Sequence, residues 1–196
     1  GVANSRLLRE GPFEELWIQP AAGDAGGALG VALLTWQQLL GHPRRPQATD
    51  DHHGSLLGPR FTDAEIRECL EGNHAVFHTL PGDDAVDEAT AALLSDQKTV
   101  GWMQGRMEYG PRALGSRSIL ADARNPDMQQ VLNRKIKFRE SFRPFAPAVL
   151  SERAADYFEI PRGACSPYML LTGEVAPSQR LDVSAAPAQR GLAKLH

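Results

Sequence analysis

The sequence predicts an α/β fold. From Phe61 onward, segments with helical spacing alternate with short β-branched and aromatic runs. Apolar residues make up 42% and the net charge is −3, which excludes global disorder. The longest apolar stretch, Ala28 to Leu34, holds seven residues, far short of the ~20 that a membrane span needs. A length of 196 residues suits one ordinary domain, or a small domain plus a piece of another.

Taken in order, Asn4 to Glu10 reads as a short helix and Glu15 to Gln19 (ELWIQ) as a strand. Asp24 then stands before a helix that begins among Gly26 and Gly27 and runs to Leu40. His42 to Arg60 holds prolines and no apolar period, so it reads as a linker, with His52 and His53 solvated. Thr62 and Glu65 have the spacing of a capping box, and their helix should stop at Gly72. His74 to Leu80 is a predicted strand. In Asp84 to Gln97, Val86, Ala89 and Leu93 fall on one side of a helix. Strands at Thr99–Met103 and Ser118–Ala121 flank a long polar loop. Pro126 opens a helix that runs to about Phe138. Phe145 to Leu150 is a strand, Ser151 caps a helix to Phe158, and Tyr168 to Val175 is the last strand.

Charge is unevenly spread. Residues 98–143 hold ten Lys and Arg against four Asp and Glu, while the rest holds 11 against 20. A local cationic excess inside an acidic chain points to a confined anion site rather than a nucleic-acid face. The run Arg134 to Arg139 also fits a solvated helix face. Cys69 and Cys165 lie 96 positions apart and form neither a disulfide framework nor a zinc knuckle, so a cytoplasmic, reducing setting is expected. The chain opens at GVANSRLL without an initiator Met and ends at GLAKLH, which reads as a piece of a longer protein.

Three clusters carry chemistry. Gly26 and Gly27, at a helix start after Asp24, would let a ligand backbone or phosphate approach closely, although close helix packing explains glycines there as well. Asp24 fits a helix cap and also a metal ligand. His74 and His78 share a face but have no third ligand nearby. The loop GRMEYGPRALGSRS (Gly105 to Ser118) and the stretch NRKIKFRESFRPFAP (Asn133 to Pro147) offer planar guanidinium forks and compact ammonium charges. Such a set suits a substrate with several anionic oxygens, such as a nucleoside triphosphate or an acyl phosphate. The same arginines could instead bridge the loops to Glu108 and Glu140. A phosphate- or RNA-binding module, or a non-catalytic fragment with a vestigial anion site, would share this cationic character.

The stretch VGWMQGRMEYGPRALGSRSILADARNPDMQQVLNRKIKFRESFRPFAPAVL resembles the signature of the O-carbamoyltransferase family of nodulation and antibiotic biosynthesis (NodU-type and tobramycin-type enzymes). The opening ANSRLLREGPFEELWIQPAAGDAGGALGVAL resembles the end of that family's first domain. The resemblance implies an actin-like (ASKHA) domain, similar to the tRNA threonylcarbamoyl transferase, whose C-terminal piece is residues 1–41. A linker at 42–60 follows, then a YrdC-like mixed α/β domain over 61–196. The second domain would make carbamoyl-adenylate from carbamoyl phosphate and ATP with Mg. The first would pass the carbamoyl group to a hydroxyl of a small-molecule acceptor, such as a natural product or glycan, with an iron-type divalent metal. By this likeness Asp24 matches a metal ligand, which favours that reading over the cap. Arg112, Lys137 and Arg143 match catalytic contacts to carbamoyl phosphate and adenylate. Arg106, Arg117, Lys135 and Arg139 match further substrate or nucleotide contacts, beside Gly26 and Gly27. The family's longer N-terminal body, with its metal-binding His pair, has no counterpart here, so the isolated chain is expected not to transfer carbamoyl groups.

Overall fold

The computed structural model describes residues 1–160 and 166–180. Helices form where local signals ask for them. Helix α1 spans Val2–Glu10 and carries an Arg6–Glu10 pair one turn apart. Helix α2 spans Asp24–Leu34 and continues as a wider π-turn over Thr35–Leu39. Its N-cap is Gly23, so Asp24 is the first helical residue. There its charge suits the helix dipole but its side chain makes no cap bond. Helix α3, Asp63–Gly72, starts on a complete capping box. Thr62 Oγ1 accepts from the Glu65 amide at 3.3 Å, and Glu65 accepts from the Thr62 amide at 2.7 Å. Helix α4 spans Asp83–Ser95. Strands β1, Val100–Met103, and β2, Arg117–Leu120, pair as a two-stranded antiparallel sheet. Helix α5, Met128–Val131, runs into a π-turn at Leu132–Ile136, and helix α6 spans Ala154–Tyr157. The fold is α/β, rich in helix, with this small sheet.

Four predicted strands do not form. Residues 15–19 and 145–150 are irregular, and Trp17 is 79% exposed. Residues 74–80 are also irregular: His74 takes φ +53° at the end of α3, and Val76 is 94% exposed. Over 168–175 there is one bridge, between Phe158 and Val175. A strand exists only by pairing, and here other groups take the backbone. Asn4 Nδ2 donates to the Leu170 carbonyl at 3.0 Å, and the Thr172 amide donates to Ser5 Oγ at 2.7 Å.

The described residues fall into two compact units. One holds Gly1–Phe77, Trp102–Ser118 and 166–172; the other holds 78–101, 119–160 and 173–180. Buried positions are few and mostly polar: Ser5, His52, Ser55 and Glu108 in the first unit, Asn133 in the second. Met128 and Leu132 are the buried apolar side chains among the described residues, both in the second unit. His52 and Ser55 correct the expectation of a solvated segment there, since both pack under the loop 104–117. No described helix is long and apolar enough to cross a membrane. Cys69 is exposed as a free thiol, and Cys165 lies outside the described residues.

Candidate functional site: two cation-bearing loops

In the first unit the loop between β1 and β2 folds around one carboxylate. Glu108 is 4% exposed, and its Oε1 accepts from the amides of Leu114 and Ser116, each at 2.9 Å. Its Oε2 faces Arg117 Nε at 3.6 Å, beyond hydrogen-bond reach, and is otherwise unpartnered. An ionised carboxylate only accepts, so it gathers N–H groups and bends the GPRALG turn inward. Arg117 also donates to the Gly110 carbonyl. Gly110 sits at φ +100°, and a Cβ there would lie 2.8 Å from that of Ala21, so both its backbone angle and its contact call for glycine.

The flank of this loop is tied to residues 55–59. The Gly58 amide donates to the Met107 carbonyl and the Met107 amide to the Pro59 carbonyl, both at 2.9 Å. The Tyr109 amide donates to the Ser55 carbonyl at 2.6 Å. Arg106 Nη1 donates to the Gly58 carbonyl at 2.9 Å. Arg106 and Arg117 therefore serve the loop itself. Arg112, at the exposed turn, has no hydrogen bond or ion pair among the described residues.

In the second unit a neutral amide plays the organising part. Asn133 is 0% exposed. Its Nδ2 donates to the carbonyls of Ser141 at 3.0 Å and Arg143 at 2.9 Å, while its Oδ1 accepts from Arg139 Nε at 2.6 Å. Gln129, one turn earlier, donates to the carbonyls of Phe142 and Arg143 at 3.3 and 3.1 Å. The Arg139 guanidinium lies 4.8 Å from the centre of the Phe145 ring. Arg143 Nε meets Glu140 Oε2 at 2.7 Å. The Glu140 carboxyl is held below its ordinary range, first by its own backbone N–H and then by the Arg143 charge. The Lys135 and Lys137 side chains are exposed and carry no hydrogen bond or ion pair among the described residues.

The Glu108 and Glu140 bridges foreseen as the structural alternative thus both form. Of the predicted site residues, Arg112 lies in the first unit, and Lys135, Lys137, Arg139 and Arg143 lie in the second. Gly26 is buried: a Cβ there would sit 2.5 Å from the Ala21 carbonyl oxygen, so close packing uses it, whereas Gly27 faces open space. Asp24 is exposed, and the described residues contain no group of three His, Cys, Asp or Glu that could hold a metal. They do not by themselves compose a metal centre. Tyr109 and Asn133 escaped the sequence reading, which named Glu108 only as a partner for the arginines. A signal existed for one of them: Gln129 and Asn133 are two amides spaced four apart, directly before an arginine-rich break.

A family model described as the carbamoyltransferase C-terminus matches residues 91–192, and one described as the carbamoyltransferase N-terminus matches residues 1–33. An uncharacterized protein of Synechocystis sp. is 52% identical over 100% of this chain and 32% of its own length. Nodulation protein NolNO of Sinorhizobium fredii is 39% identical over 98% of the chain and 28% of its own length. Nodulation protein U of Rhizobium fredii is 36% identical over 98% and 30%. The chain spans about a third of the length of the curated relatives it matches.

Proposed function

Because the chain belongs to the carbamoyltransferase family, we propose that it is part of an ATP-dependent O-carbamoyltransferase, with its two cationic loops serving the activation of carbamoyl phosphate. The observation that carries this reading is the division of labour among the arginines. Arg106 and Arg117 hold the loop, while Arg112 is presented from the same loop with its five donors uncommitted among the described residues.

In the proposed reaction water hydrolyses carbamoyl phosphate to carbamate and phosphate. A carbamate oxygen then attacks the α-phosphorus of ATP, the bond to the β-phosphate oxygen breaks, and pyrophosphate leaves. Negative charge builds on phosphoryl oxygens as this happens. Guanidinium and ammonium groups brought to these oxygens offset it, assisted by the Mg that accompanies ATP. Arg112 in the first unit is assigned to anionic oxygens of the substrate, and so, separately, are Lys137 and Arg143 in the second, with Lys135 and Arg139 as flanking charges there. Arg143 reaches them by exchanging its exposed pairing with Glu140, which costs little in water. In the whole protein the acceptor hydroxyl of a small molecule attacks the carbamoyl carbon of the adenylate, the bond to the phosphate oxygen breaks, AMP leaves and the hydroxyl proton is lost. Residues 1–41 would be the end of the domain that performs the transfer, and 61–196 the activating domain.

Calorimetry with carbamoyl phosphate and with ATP tests the assignment. Arg112→Lys keeps the charge but removes the fork, and should weaken binding by ~1–3 kcal/mol. Arg134→Lys, on the exposed turn after α5, should change it little. Equal effects from both, or none from either, would reduce the cationic run to a solvated surface.

A further inference from the structure

We propose that Tyr109 is a positioning residue that couples the anion-binding turn at Arg112 to the start of helix α2; the proposal rests on the function proposed above. Tyr109 is held from three sides. Its amide donates to the Ser55 carbonyl at 2.6 Å. Its ring stands edge-on to the buried His52 ring, with centroids 6.0 Å apart. Its hydroxyl donates to the Ala25 carbonyl at 2.5 Å, one residue after Asp24. The next residue, Gly110, approaches Ala21 so closely that no side chain fits between them.

The loop therefore touches the α2 start at two successive positions, 109 and 110, only two residues before Arg112. The support behind it is stiff. Asp50 accepts from the amides of His52 at 3.0 Å and Gly54 at 3.3 Å and from the Tyr168 hydroxyl, and the Gly54 amide donates to that hydroxyl at 3.1 Å. The His52 ring lies 5.3 Å from the Tyr168 ring. His52 Nε2 is buried without a hydrogen-bond partner, so this residue serves as a packing plate between the two tyrosines. Residues 21–27 fall within the stretch matched by the N-terminal family model and Tyr109 within that matched by the C-terminal one. The phenol is thus a direct bond from one family segment to the other. An anion that orders the Arg112 turn must order the Ala25 carbonyl through it, because a fixed loop can shift only by carrying its bonded partner along.

Amide hydrogen exchange on the chain reads this coupling. The Gly26 and Gly27 amides, bonded to the carbonyls of Ala21 and Gly23, report on the α2 start. Saturating carbamoyl phosphate should slow their exchange at least threefold. Tyr109→Phe should bind carbamoyl phosphate within twofold of the parent by calorimetry yet lose that slowing. Binding to the parent chain with no change at Gly26 and Gly27 overturns the coupling while leaving the proposed function intact. Slowing in Tyr109→Phe equal to the parent overturns the role of the phenol. No binding of carbamoyl phosphate to the parent overturns the proposed function, and the coupling with it. The parent-chain arm needs no variant, so a poorly folded Tyr109→Phe does not protect the proposal.

Discussion

The loop around Glu108 and the loop around Asn133 solve one problem with opposite chemistry. Each must hold an arginine-rich, irregular stretch in a single shape. Around Glu108 a buried carboxylate collects amide protons from Leu114 and Ser116 and faces Arg117. Around Asn133 a buried amide collects the carbonyls of Ser141 and Arg143 and receives Arg139 on its oxygen. The first centre is charged and acceptor-only; the second is neutral and two-faced. The difference teaches which cations are structural. Arg117 is ion-paired with Glu108 and Arg139 donates to Asn133, whereas the side chains of Arg112, Lys135 and Lys137 carry no such commitment among the described residues.

The contrast can be broken most forcefully at its charged end. Glu108→Ala strands two amides and the Arg117 charge, and should cost about 3 kcal/mol in urea unfolding. Glu108→Gln still accepts both N–H groups and should cost about 1 kcal/mol. A Glu108→Ala loss no larger than that of Glu108→Gln would mean that the pairing with residues 55–59 alone holds the loop.

At the neutral end, Asn133→Ala should cost about 2 kcal/mol. Asn133→Asp should cost at least as much, although it is nearly isosteric, because a carboxylate cannot donate to the two carbonyls and repels them. Near-native stability of Asn133→Asp would show that the donor face matters less than the Arg139 contact. The backbone sharpens the comparison further. Gly110→Ala meets a φ of +100° and the Ala21 methyl, and should lose about 1 kcal/mol. Phe138, an exposed residue at φ +48° in the other loop, should tolerate glycine within about 0.5 kcal/mol, as relieved strain offsets a freer unfolded chain.

The smallest effect is acid sensitivity. Asp50, behind the first loop, is held below its ordinary 3.8 by the Tyr168 hydroxyl and then by the amides of His52 and Gly54, which outweigh the opposing effect of burial. A lowered folded value means that the carboxylate form favours the fold. The contribution is complete above the ordinary value and fades as pH falls through the folded one. Asp50→Asn should therefore trail the parent chain in stability near neutral pH and converge on it in strong acid. A constant gap between the two, followed by denaturant unfolding from about pH 6 to about pH 2, would remove charge from the account of the support.

The family signature was legible because GPRALG and KIKFRESFRPF are unusual strings in themselves, and both lie inside the matched region. The helices were legible too. The capping box at Thr62 and the apolar period of α4 act within one or two turns, where residue spacing and hydrogen-bond spacing coincide. The strands foreseen at 15–19, 74–80, 145–150 and 168–175 failed for the complementary reason. A strand is completed by a distant partner, and Asn4 and Ser5 claimed part of the backbone that a partner would have taken. The roles of Glu108, Tyr109 and Asn133 lay in the same blind spot. Their bonds reach residues from six to 84 positions away, and which of a loop's arginines are bound and which are left to a ligand depends on those bonds. Residue types and local spacing set where the charge is carried. Long-range hydrogen bonds, which exist only once the chain has closed on itself, set how it is aimed.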